Sequence, residues 1–154
     1  MFPDDVYRKQ LSDVISELQI WAGALSDCAA CDIDLTPAFW KLTVAPTAHG
    51  ACPFELMLRA DQRFNVQIGG EVYEDKPVDA FAFFPMLARA IAAGRVERNT
   101  ISSALTGAVE AIETRVILED GWAWIGERRM TARSGRRSDA AQELRTHRFL
   151  PYRR

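Results

Sequence analysis

The sequence predicts an α+β domain in which helices pack on one side of an antiparallel sheet of about six to seven strands. Three stretches predict it: an apolar helical run at Asp79–Gly94, a long amphipathic stripe near the N-terminus, and short alternating runs on both sides of the first. Asp79–Gly94 reads DAFAFFPMLARAIAAG and offers only Asp79 and Arg89 to water, so it is expected to be a buried central helix. Pro85 complicates that expectation, because it cannot donate within a helix. If Pro85 instead starts the helix, Val78–Phe84 is an extended approach, and Phe81, Phe83 and Phe84 form an aromatic plug beside a short helix. That plug is the first place to look for a pocket or a dimer contact.

From Asp4 to about Ala30, Tyr7, Leu11, Val14, Leu18, Trp21, Leu25 and Cys28 recur at steps of three and four, which predicts a helix with one apolar stripe. Asp4 and Asp5 suit its first turn, where carboxylates face the positive end of the helix dipole. The same stripe would also permit a two-stranded coiled coil, but the bulky Trp21 and the β-rich sequence that follows favour packing on a sheet. Residues 32–39 read as a connector punctuated by Pro37. Trp40, Leu42 and Val44, then Phe54, Leu56 and Leu58, then Phe64, Val66 and Ile68 each alternate with polar or exposed partners, as half-buried strands do. Gly69-Gly70 marks a two-residue hairpin turn into a short strand at Glu71–Glu74.

After the central helix, Ile101, Leu105, Ala108 and Ile112 have helical spacing, yet Thr100, Ser102, Ser103, Thr106 and Gly107 disfavour a helix interior. Strands are preferred over residues 96–118, with turns at Thr106-Gly107 and Glu119-Asp120-Gly121 leading to Trp122-Ala123-Trp124-Ile125. Residues 1–130 are thus expected to form a single α+β domain. Residues 131–154 are expected to be an Arg-rich tail, with a short helix at Asp139–Arg148 capped by Ser138 and a frayed LPYRR end.

The chain has 154 residues, enough for one real core, and its 48% apolar and 26% charged content is that of an ordinary globular protein. No run approaches the roughly 20 apolar residues of a bilayer span. The acidic start MFPDDVYRKQ is unlike a signal peptide, so a cytosolic setting is expected. Charge is unevenly distributed: residues 1–126 carry ten Lys/Arg against eighteen Asp/Glu, and residues 127–154 carry nine Arg against three acids. The two parts should attract each other. Arg128, Arg129, Arg133, Arg136 and Arg137 could instead bind phosphates, but the acidic balance of the whole chain argues against nucleic acid.

All three cysteines and one of the two histidines fall within Cys28–Cys52. Cys28-Ala-Ala-Cys31 and His49-Gly-Ala-Cys52 have the pairwise spacing of a tetrahedral Cys3His zinc site, so zinc is the one cofactor to consider. Packed or semi-exposed thiols are the favoured alternative, because Cys28 continues the apolar stripe and free cysteine is commonly buried. Glu71, Glu74 and Asp75 could coordinate a hard cation, though three charges beside a turn gain by staying hydrated. No nucleophile and base stand at a recognisable catalytic spacing. The leading expectation is a non-enzymatic binding or accessory protein, a homodimer, in which Phe81, Phe83, Phe84, Trp122 and Trp124 contact a partner protein or a small apolar ligand. The rival expectations are a zinc-stabilised module and a small enzyme with a cavity between helix and sheet, into which Glu110 or Glu113 would project.

Overall fold

A computed structural model of the chain describes residues 1–130 and 141–153. Its elements are α1 (Asp4–Gly23), β1 (Ala29–Leu35), β2 (Phe39–Pro46), β3 (Phe54–Arg59), β4 (Arg63–Ile68), β5 (Glu71–Pro77), α2 (Phe83–Ala92), β6 (Val96–Ser103), β7 (Val109–Ile117), β8 (Ala123–Arg129) and β9 (Gln142–Arg148). The α+β class holds. The strands form not one sheet but two, a five-stranded β1-β2-β3-β4-β5 meander and a four-stranded sheet ordered β8-β7-β6-β9.

Helix α1 buries Tyr7, Val14, Leu18 and Ala22, and carries Asp4 and Asp5 in its first turn. It ends at Gly23, short of the expected Ala30. Leu25 and Cys28 continue the stripe and are buried, but in a turn, where Cys28 and Ala29 donate their N–H groups to the Leu25 carbonyl. A three-to-four period reports which side chains face the core, and a compact turn can keep that facing after the helix has stopped. Across β2, β3 and β4 the burial alternates strictly, so Trp40, Leu42, Val44, Phe54, Leu56, Leu58, Phe64, Val66 and Ile68 make one apolar face beneath the helices. Gly69 and Gly70 close the next hairpin with φ of 56° and 93°, both positive as that turn requires.

Residues 29–35, partly read as a connector, are instead the edge strand β1, paired with β2 from Ala29↔Pro46 to Leu35↔Trp40. Two aspartates, poor strand formers, masked its alternation. Helix α2 starts at Phe83, so Pro85 lies in its first turn, where a missing N–H costs no helical hydrogen bond. The approach to α2 turns at Phe81 and Ala82, and Phe84 donates its N–H to the Phe81 carbonyl.

Residues 96–118 are strands, as preferred, joined by a turn in which Gly107 has φ 72°. The short helix expected at Asp139–Arg148 is a correction: Gln142–Arg148 forms β9, antiparallel to β6 from Glu97↔Arg148 to Ser103↔Gln142. The expected cap and helix start, Ser138 to Ala140, lie outside the described residues. Residues 149–152 beyond β9 are not frayed either. Phe149 donates its N–H to the Val96 carbonyl, Leu150 to Gly50 and Tyr152 to Ala92, while the buried Tyr152 hydroxyl donates to the Cys52 carbonyl at 2.6 Å. Gly94 makes room for this strap, since a Cβ there would lie 2.5 Å from the Pro151 nitrogen. The two sheets meet where the buried Tyr73 hydroxyl of β5 donates to Thr114 Oγ1 of β7 at 2.7 Å.

Candidate functional site

Beyond β5 the chain must leave the sheet edge and climb to α2. Lys76 and Pro77 end β5 and Asp79 and Ala80 make the climb, all four exposed, with Val78 buried and its N–H donated to the Gln62 carbonyl at 3.0 Å. Phe83 and Phe84 then enter the first turn of α2, and Phe64 of β4 rises to meet them. The Phe64 ring lies 5.9 Å from Phe83 and 5.0 Å edge-on from Phe84, both normal spacings for attractive aromatic pairs. Trp124 of β8 stands across from them, held edge-on against Tyr73 at 5.3 Å.

Between these groups lies an open cleft of about 330 Å³, floored by Phe64 and Phe84, walled by Phe83 and Trp124, and rimmed by Lys76, Pro77, Asp79 and Ala80. Phe64 and Phe84 are buried, while Phe83 and Trp124 are half-buried and keep ring surface turned to solvent. Lys76 and Asp79 form no ion pair among the described residues. The cleft therefore offers an aromatic surface with one cation and one anion at its mouth.

Three of the five expected contact residues, Phe83, Phe84 and Trp124, are brought together here. Phe81 packs edge-on behind Phe84 at 6.3 Å but does not line the cleft, because it turns towards the N-terminus and packs with Phe2 at 5.4 Å and Tyr7 at 5.2 Å. Trp122 precedes β8 in the hairpin turn and is 76% exposed, away from the cleft lining. Phe64, Lys76 and Asp79 are additions to the expected set. No local pattern marks them, since the cleft is assembled from segments around positions 64, 76–84 and 124 that only the fold places side by side.

The expected zinc ligands do not assemble. Cys28 and Cys52 are buried, Cys31 sits on β1 opposite Val44, and His49 is exposed in its loop. Among the described residues, no group of three or more His, Cys, Asp or Glu is placed to hold a metal ion. Cys28 and Cys52 are packed into the core, and Cys31 is half-buried. Cys52 is fully buried, its Sγ faces the Pro53 carbonyl at 3.4 Å, and burial pushes its pKa up to about 12. Burial also raises Cys31, with smaller contributions from Cys28 and Asp32.

The acidic cluster at β5 separates in the same way. Glu71 receives two hydrogen bonds from Arg128 at 2.8 and 3.0 Å, whereas Asp75 turns to Arg59 on another part of the surface. Arg128 thus engages an acid of its own chain, and Arg129 pairs with Glu127 at 2.8 Å. Arg133, Arg136 and Arg137 lie outside the described residues. Glu110 and Glu113 line no part of the aromatic cleft: Glu113 of β7 accepts from Asn99 of the neighbouring β6 at 3.0 Å, and Glu110 of β7 accepts from Gln142 of β9, beyond β6, at 2.6 Å.

A second depression of about 280 Å³ lies between α1, α2 and the C-terminal strap. Its two arginines are already occupied, Arg89 by Glu119 at 2.5 Å and Arg153 by Asp27 at 2.6 Å. The aromatic cleft is thus the better candidate site. Among the described residues no helix is long and apolar enough to cross a membrane. Comparison with protein-family models, with curated proteins and with solved structures finds no match.

Proposed function

We propose that this is a non-enzymatic binding or accessory protein, acting as a homodimer, whose cleft beside α2 receives an apolar group of a partner protein or of a small ligand. The observation that carries the reading is the convergence of Phe64, Phe83, Phe84 and Trp124 on one open cleft of about 330 Å³. That size lies at the small end of the roughly 300–1,000 Å³ typical of ligand sites and suits one aromatic or branched aliphatic moiety. Half-buried aromatic surface is costly to leave wet, and covering it drives association without any catalytic group. Lys76 and Asp79 then orient what enters, because a charged end of the guest is drawn to one side of the mouth and repelled from the other.

The test is a fluorescence titration with anilinonaphthalene sulfonate, whose fused rings match the aromatic walls and whose sulfonate matches Lys76. Saturable binding is expected, reduced at least several-fold in Phe83→Ala and Trp124→Ala. Both side chains are half-exposed, so these variants should stay folded, as circular dichroism would verify. Binding that both variants leave unchanged would remove the cleft from consideration. Light scattering that gives a single monomer mass at all concentrations would remove the homodimer.

A further inference from the structure

Strand β1 is an edge strand of an unusual composition. Its register with β2 places Cys31, Ile33 and Leu35 opposite Val44, Leu42 and Trp40, and so on the same face as that buried trio. The helical cover reaches β2, where Trp40 is 1% and Leu42 0% exposed, and fails one strand further out, where Ile33 is 46% and Leu35 72% exposed. Asp32 and Asp34 occupy the alternate positions and are also exposed. Neither forms an ion pair among the described residues, and Lys41, which faces Asp34 in the register, is held by Glu55 at 3.3 Å. No described strand pairs with the outer edge of β1, so about half of its main-chain N–H and C=O groups face outward.

We propose that this edge docks an extended segment of another protein in which apolar and basic residues alternate. The main chain of the guest adds a sixth strand, its apolar side chains extend the core face over Ile33 and Leu35, and its basic side chains lie beside Asp32 and Asp34. The charges decide the occupant. Two copies of β1 paired with each other would bring four carboxylates onto one edge, and like charges on facing positions oppose pairing. The same carboxylates repel acidic strands and give neutral ones no charge attraction, so they select for a basic guest as well as against self-association. This surface is separate from the aromatic cleft, and the inference does not rest on the function proposed for that cleft.

The full chain would be titrated, by fluorescence anisotropy, with two labelled seven-residue peptides, one alternating isoleucine with lysine and one alternating isoleucine with glutamate. The lysine peptide is expected to bind and the glutamate peptide to fail. In the double variant Asp32→Lys/Asp34→Lys the preference should reverse, with the lysine peptide bound about tenfold more weakly. Both changes are at exposed edge positions, and circular dichroism checks that the fold survives. Amide hydrogen exchange of the wild-type protein, which needs no variant, should show new protection in residues 29–35 when the lysine peptide is added. No binding, equal binding by the charge-reversed variant, or protection confined to other elements would overturn the proposal. So would protection of residues 29–35 that depends on protein concentration alone, because the edge would then belong to a second copy of the chain.

Discussion

In the five-stranded sheet three alternate residues in each of β2, β3 and β4 are buried beneath the two helices, whereas β9 of the four-stranded sheet has no buried residue at all. Both sheets follow a helix and both are antiparallel, so the difference lies in what covers them. The first is held by apolar area removed from water. The outer part of the second is held by main-chain pairing and by cross-strand polar contacts, among them Arg148 with Glu97 at 3.2 Å and Thr146 with Asn99 at 2.8 Å. Such cross-strand pairs contribute only about 0.2–1 kcal/mol each. The two candidate binding surfaces lie where burial runs out: the aromatic cleft where β4 and α2 face β8 of the second sheet, and the edge strand β1 beyond the cover of the helices.

The comparison can be broken most directly with one leucine from each sheet. Leu56 is completely buried, and Leu56→Ala should cost about 2–5 kcal/mol through lost transfer energy and an unfilled cavity. Leu144 is 64% exposed in β9, and Leu144→Ala should change stability by no more than about 0.5 kcal/mol. Urea denaturation at neutral pH measures both, and equal costs would mean that β9 packs against something more than its neighbouring strands.

A smaller effect tests the strap that ties the second sheet back to the first. Gly94 and Gly107 both adopt positive φ, 78° and 72°, so alanine at either should lose roughly 1–2 kcal/mol to backbone strain. Nothing surrounds Gly107, but a Cβ at Gly94 would meet Pro151 backbone at 2.5 Å. Gly94→Ala should therefore cost about 1 kcal/mol or more beyond Gly107→Ala, the usual scale of overpacking. If the two variants have the same denaturation midpoint, the strap gives way freely and its contacts add little.

How much of the molecule could be read in the chain follows the same division. Where one face is buried, selection for that face writes a period of two, and Trp40-Leu42-Val44 and Phe54-Leu56-Leu58 carry it plainly. In β9 neither face is buried, so Gln142–Arg148 carries no such signal and its Glu, Leu and Arg resemble a helix instead. The same holds for the candidate site. Phe83, Phe84 and Trp124 stood out because large aromatics are conspicuous in any segment, while Phe64 looked like an ordinary strand residue, Asp79 like a water-facing residue of the central helix, and nothing singled out Lys76. Cys28, Cys31, His49 and Cys52 had a zinc-like spacing in sequence, but spacing leaves direction open. The turn after α1 sends Cys28 into the core, while His49 lies exposed in the separate loop between β2 and β3.

The smallest effect concerns an ion pair that, alone among the described residues, bridges the two sheets at this boundary. Arg128 of β8 donates two hydrogen bonds to Glu71 of β5, and those bonds, more than the attraction between the charges, hold the Glu71 carboxyl below its ordinary pKa. Partial burial of Glu71 works in the opposite direction and is outweighed. A carboxylate with a lowered folded-state pKa stabilises the fold above its unfolded-state value, about 4.3 for glutamate, and that contribution is lost as pH falls through the folded-state value. Glu71→Gln should therefore be slightly less stable than the wild type at pH 7, and the gap should close on acidification. Arg128 is exposed, so salt should also narrow the gap at pH 7. Denaturation midpoints of the two proteins from pH 7 to pH 3 measure this. A gap that stays constant over that range would mean that Glu71 acts through packing against Tyr73 and β8, so that the seam between the sheets is apolar in origin like the core of the first.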